Sequence, residues 1–246
     1  MIKLSDYSTR PPKEVDKKAI KQKTEKFAER LGELHQLLLA EGKHSVLVLF
    51  QGMDASGKDG AVKKVFRHCT HNNINVYSFK KPTEEEFAHD FLWRVHKKVP
   101  AKGNIQVFNR SHYEDVLIQR VHAWIDEEKY NKRIKAINAF EELLQFDGNT
   151  LIFKFYLHLS YDQQAIELQE RIDEREKNFK HNANDWKERE HWDEYMRCYE
   201  DVLNQSLVPW TITPVDERWY RDYIVAKTIV EGMEALNMQY PSLEDK

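Results

Sequence analysis

Leu49-Phe50-Gln51-Gly52-Met53-Asp54-Ala55-Ser56-Gly57-Lys58-Asp59-Gly60 decides how the rest of the chain is read. The apolar run from Val46 to Phe50 ends in a loop with glycines at 52, 57 and 60 and a lysine at 58. That is a strand feeding a loop that opens a helix, with the Gly-x4-Gly-Lys spacing of a P-loop. Backbone N–H groups of Gly52, Met53, Ala55, Ser56, Gly57, Asp59 and Gly60 are expected to point at phosphate oxygens, helped by the partial positive charge of the helix start. Lys58 is expected on the terminal phosphates. One position departs from the pattern. A Ser or Thr ordinarily follows the lysine and holds magnesium, and here the residue is Asp59.

Outward from the loop, the pattern alternates between helical and strand periods. Residues 1–13 read as an extended arm, because Pro11-Pro12 forbids helix. Ile20, Phe27, Leu31, Leu34, Leu37 and Leu38 recur at helical spacing and predict one long helix over 15–40, stopped at Gly42. Strands are predicted at 45–51, 74–79, 105–108, 151–157 and 210–215, and the first is apolar enough to be buried on both faces. Helices are predicted after the loop to about 71, over 84–96, 112–126 and 130–146, from about 161 behind a Ser160 cap, and over 219–237. The fold expected is a three-layer α/β/α sandwich of the P-loop kinase type, with a mostly parallel five-stranded sheet. The chain is expected to form a single domain over 1–246, with residues 1–40 as an arm plus long helix. Ligands of such sheets sit at the carboxyl ends of the strands, where both the P-loop and Asn109-Arg110-Ser111 fall.

Phosphoryl transfer also needs a divalent ion held by carboxylates. Asp54 lies inside the loop, and Glu114 and Asp115 follow the third strand, where a metal-binding acid is expected. Asp54, Glu114 and Asp115 are therefore the metal candidates. The competing reading of each is a solvated acid, and for Asp59 an acid that merely stabilises a helix start. Arg110 could clamp a phosphate bidentately. Lys80 and Lys81, with Lys63, Lys64 and Arg67, could line a groove for a polyanion, although a solvated helix face explains them too. Residues 171–192 are dense in charge of both signs; Arg171, Lys177 and Lys180 there fit a helical lid that brings cations over phosphates. His68, Cys69 and His71 have no partner pair with metal-site spacing, and Trp186, Trp192, Tyr195 and Tyr199 read as core.

Composition narrows the classes further. Lys and Arg number 38 against 41 Asp and Glu, a formal net charge of -3, so there is no general basic footprint of a nucleic-acid binder. Any polyanion site must be local. Two cysteines make no disulfide framework, no secretory signal is seen, and no apolar run approaches the roughly 20 residues of a membrane helix. A cytoplasmic location without membrane attachment is the expectation.

Several stretches together resemble the polyphosphate kinase 2 family, and its class III branch most. They are the loop from Gly52 to Gly60, then His89-Asp90-Phe91-Leu92-Trp93-Arg94, and Phe108-Asn109-Arg110-Ser111-His112-Tyr113-Glu114-Asp115-Val116-Leu117. Glu174-Arg175-Glu176-Lys177-Asn178-Phe179-Lys180, Glu188-Arg189-Glu190-His191-Trp192-Asp193-Glu194-Tyr195, Pro209-Trp210 and Trp219-Tyr220-Arg221 follow in order. The resemblance implies a magnesium-dependent kinase, manganese serving as well, that moves the terminal phosphoryl group of inorganic polyphosphate onto nucleoside mono- and diphosphates. It makes Asp54 a characteristic loop acid and Asp59 ordinary, and it implies a homodimer or homotetramer. Two departures lie in the lid: the family tends to carry proline at the Arg175 position, and 182–185 diverges. On this reading Lys58 and its loop cradle phosphates, Asp54 and Asp115 hold the metal with Glu114 helping, and Arg110 clamps the transferred group. Two alternatives stay open from the residues alone, an ATP-dependent nucleoside monophosphate kinase and a non-catalytic P-loop binding module.

Overall fold

The computed structural model describes residues 1–243. Its first long element, α1 (Lys17–Glu41), starts where Asp16 accepts from the Ala19 N–H and ends where Gly42 turns left-handed at φ 65. Ile20, Ala28, Leu31, Leu34 and Leu38 form its buried stripe. The chain then enters β1 (Ser45–Gln51), every residue of which is buried. α2 (Lys58–Val65), β2 (Ile74–Ser78), the one-turn helices α3 (Glu84–Phe87) and α4 (Trp93–His96), and β3 (Ile105–Asn109) follow. Next come α5 (Ile118–Val121), α6 (Glu127–Phe146), β4 (Thr150–His158) and α7 (Tyr161–Asp173). α8 (Ala183–Arg189), α9 (Trp192–Gln205), β5 (Trp210–Pro214) and α10 (Arg218–Glu234) complete the order.

The five strands form one sheet in the order β2-β3-β1-β4-β5, and every pairing is parallel. β1 sits at its centre, so its carboxyl end, where the P-loop begins, is flanked by strand ends on both sides. Alternate residues of β1 feed two cores. Val46, Val48 and Phe50 pack with Leu31 and Leu38 of α1, Val65 of α2 and Ile229 of α10. Leu47 and Leu49 pack on the other side with Ile137 of α6 and Tyr199 and Val202 of α9. Burial on both faces is what makes the strand uniformly apolar.

Two expected helices are broken. Over 84–96 the Asp90 carboxylate accepts from the N–H groups of Leu92 and Trp93, a local turn that separates α3 from α4. Over 112–126 the chain makes a 3-10 turn, His112–Val116, then α5, and leaves helical geometry at Ala123, φ 52. The arm is tied down rather than free. Leu4 is buried, its N–H donates to Glu200, and Thr9 bonds Asp216 through both backbone and side chain.

Candidate active site

Between β1 and α2 the chain must turn sharply while keeping its N–H groups pointed inward. Gly57 supplies the turn at φ 83, and a Cβ there would collide with the Arg221 guanidinium. Gly52, at φ 149, lies so close to the Leu157 carbonyl that a Cβ would sit 2.7 Å from its oxygen. Two non-glycine residues, Ala55 at φ 67 and Arg110 at φ 61, also occupy the left-handed region, a cost that site residues often carry.

Lys58 is buried and folds back into the loop. Its Nζ donates to the carbonyls of Gly52 at 2.8 Å and Met53 at 3.1 Å, and to Ser56 Oγ at 3.2 Å. Burial, together with the nearby charge of Arg110, pushes its ammonium down to about 8 despite the pull of Asp54 and Glu114. Arg110 bridges two acids, Asp54 of the loop and Glu114 at 3.4 Å, and their charges hold its guanidinium firmly protonated. Ser111 caps the turn behind it, accepting from Gln51 Nε2 and the Tyr113 N–H. Beneath that turn, Lys154 Nζ donates to Glu141 at 2.6 Å and to the Tyr113 hydroxyl at 2.7 Å, all fully buried. Burial pushes the Glu141 carboxyl up, but the His112 hydrogen bond and the Lys154 charge more than offset it and hold it below its ordinary range.

A cleft of about 510 Å³ opens over the loop at the carboxyl edge of the sheet. Eight basic side chains line it (Lys58, Lys80, Arg110, Arg171, Lys177, Lys180, Arg218 and Arg221) against three acids, Asp54, Asp59 and Glu167. In a chain of net charge -3 this is a local concentration of positive charge suited to a polyanion. Asp54 and Asp59 add the hard carboxylate oxygens that magnesium and manganese take.

The cap segment, residues 171–192, runs in three pieces: the end of α7, a 3-10 turn Arg175–Lys180, and α8; Arg171, Lys177 and Lys180 from the first two line the cleft. Arg171 pairs with Asp185 at 2.7 Å, Lys177 with Glu170 at 2.6 Å, and Lys180 reaches across to Asp59 at 3.5 Å. The buried Gln164 amide joins cap to loop. It donates to the Asp54 carbonyl at 3.0 Å and accepts from Arg189 of α8 at 3.2 Å.

Six expected site residues do not line this cleft: Gly52, Met53, Ser56, Lys81, Glu114 and Asp115. Asp115 does not line this cleft; its buried carboxylate takes Arg94 at 3.3 Å and Gln119 at 2.5 Å, and burial raises it despite Arg94 and Arg133. Lys81 is exposed outside the cleft, and Lys80 lines it instead. Glu114 reaches the site through Arg110 rather than lining it. Met53 is buried in the core, and its carbonyl accepts from Lys58 Nζ and the Ser56 N–H. A second cleft, which Asp115 does line, adjoins on the other side of residues 80–82, with Phe87, His89, Phe91, Arg94, Lys132 and Arg133. Arg94 links the two by donating to the Lys80 carbonyl at 2.9 Å.

Arg218, Arg221 and Glu167 were missed by sequence reasoning. A signal existed for the arginines: they open the helix that follows the carboxyl end of β5, one turn apart, so both face the edge where ligands of parallel sheets bind. Arg221 Nη1 donates to the Gly57 carbonyl at 2.9 Å, which brings the last helix onto the P-loop.

The model of one family, polyphosphate kinase 2, matches residues 14–241. An AMP/ADP-polyphosphate phosphotransferase of Meiothermus ruber is 45% identical over 218 residues, covering 87% of this chain and 81% of the relative. An ADP-polyphosphate phosphotransferase of Rhodopseudomonas palustris is 43% identical over 228 residues, covering 87% and 78%. Among solved structures, a polyphosphate kinase 2 from Arthrobacter aurescens TC1 superposes with a TM-score of 0.94 at 36% identity, over 98% of this chain and 88% of that one.

Proposed function

Because the chain belongs to the polyphosphate kinase 2 family, we propose that it transfers the terminal phosphoryl group of inorganic polyphosphate to AMP and ADP. It is a polyphosphate-dependent nucleotide kinase. The observation that carries this reading is the cleft of eight cations built around Lys58. Such a surface matches a chain of phosphates better than the few phosphates of one nucleotide.

An acceptor phosphate oxygen is already ionised at neutral pH, so the reaction needs no strong general base. That oxygen attacks the terminal phosphorus of the chain, and the bond from that phosphorus to its bridging oxygen breaks. The electron pair stays on the shortened chain. What the protein supplies is alignment and positive charge facing the phosphoryl group in flight. The loop N–H groups and Lys58 bind the terminal phosphates, Arg110 faces the transferred group, and Arg218 and Arg221 hold the chain behind it. Arg171, Lys177 and Lys180 close the cap and exclude water, which otherwise competes as acceptor. Magnesium, or manganese in its place, would be held by cleft carboxylates, Asp54 among them, and would neutralise phosphate charge. The acceptor nucleotide fits the second cleft, where Phe87 and Phe91 offer faces for a base and Arg94 and Arg133 offer charge to its phosphate. The same reading places the enzyme in the cytoplasm with its nucleotide substrates, as a homodimer or homotetramer; among the described residues no helix is long and apolar enough to cross a membrane.

The test is donor choice. With polyphosphate and magnesium but no ATP, ADP should accumulate from AMP and ATP from ADP. Lys58→Ala should lower that rate about 100- to 1,000-fold with an unchanged melting profile. Absence of product, with rapid ADP formation from ATP plus AMP, would instead make this an ordinary nucleoside monophosphate kinase.

A further inference from the structure

In the common P-loop arrangement a cation is held from two sides, by the hydroxyl that follows the loop lysine and by an aspartate at the end of a core strand. Here both positions are filled the other way round. Asp59 follows Lys58, and the last residue of β3, in register with Phe50 at the end of β1, is Asn109. The two side chains meet, with Asn109 Nδ2 donating to Asp59 Oδ1 at 2.5 Å. The pair still offers one carboxylate and one neutral oxygen, but the charge sits on the loop.

The other oxygen, Asp59 Oδ2, faces the cleft and has the Lys180 ammonium of the cap at 3.5 Å. A positive charge already stands where a cation would bind. The remaining acids are less available. Asp54 is matched by the Arg110 guanidinium, which also holds Glu114, and Asp115 is spent on Arg94 and Gln119. Among the described residues Asp59 is bonded to one amide and paired with one lysine, and about two-thirds of its side chain is exposed.

We propose that Asp59 is the metal-anchoring carboxylate of this kinase, that Asn109 orients it, and that Lys180 gives way when the cation binds. The inference rests on the metal-dependent reading above. Mn2+ titrated into the full chain and followed by electron paramagnetic resonance should bind at least tenfold more weakly to Asp59→Asn than to wild type. Lys180→Met should bind it as well or better, since a competing ammonium is gone. The exchange Asp59→Thr with Asn109→Asp should recover affinity to within about threefold of wild type. Because the Asp59 side chain is mostly in solvent, matching melting curves for all variants are expected. Asp59→Cys adds a readout in turnover: its ratio of Cd2+- to Mg2+-supported rates should exceed that of wild type by tenfold or more, thiolate being the softer ligand.

Wild-type Mn2+ affinity in Asp59→Asn, with a donor KM raised as in Lys180→Met, would leave Asp59 a latch for the cap and overturn the inference. An unmoved Cd2+ to Mg2+ ratio in Asp59→Cys would overturn it equally. Full transfer by wild type in excess EDTA would instead remove the metal-dependent reading itself.

Discussion

At the scale of single residues, Lys58 shows how burial sets a working pH. Its ammonium titrates near 8 in the folded chain against an ordinary value of 10.5. Below about 8 it is protonated in both folded and unfolded chains. Between 8 and 10.5 only the unfolded chain keeps the proton, so this group makes stability rise with pH across that window. Phosphate binding has the opposite demand, because it requires the ammonium. The KM for polyphosphate should therefore climb up to about tenfold per pH unit above 8, with proton uptake on donor binding seen as a buffer-dependent heat in calorimetry. A flat KM from pH 7 to 9.5 would mean that Lys58 does not contact the donor. Asp115 separates two roles in the same way. Bonded to Arg94 in the second cleft, Asp115→Asn should raise the KM for AMP and leave the magnesium dependence of the rate unmoved, whereas a metal ligand would shift the latter. Its position beside Glu114 in sequence gave no hint of this. The 3-10 turn at 112–116 sends the two neighbouring carboxylates to different partners.

At the scale of elements, the site stands on what lies beneath it. The turn that carries Arg110 and Glu114 sits on Tyr113, and Tyr113 is pinned by Glu141 of α6 and Lys154 of β4. Glu141→Ala leaves a lysine buried without its carboxylate and should cost about 3–5 kcal/mol in denaturant unfolding. A loss under about 1 kcal/mol would show that water reaches Lys154. The periodic elements, α1, β1, α6 and α10, were legible within a few residues because their stripes are long. The expected helices at 84–96 and 112–126 failed for local reasons. Asp90 offers the backbone an alternative set of acceptors, and Ser111 caps a tighter turn, so a few side-chain hydrogen bonds override the apolar spacing.

At the scale of the whole molecule, the sheet gathers strand ends that are far apart in sequence. Arg221 meets Gly57 across 164 residues because β5 and β1 point the same way and both end at one edge. The assembly expected from the family resemblance is open to a direct check: light scattering at micromolar concentration should give two or four times the chain mass, and a monomer would refute it. The sequence by itself determined the fold class and the P-loop pattern with Asp59 after its lysine, since strand and helix periods and glycine spacing are local properties that the chain writes out in order. Only the tertiary structure decided which cations surround the loop, that Asp115 belongs to a neighbouring cleft, and that Asn109 bonds Asp59. Those are matters of which strands lie side by side and which way a turn points a side chain, and both are fixed by long-range packing rather than by spacing along the chain.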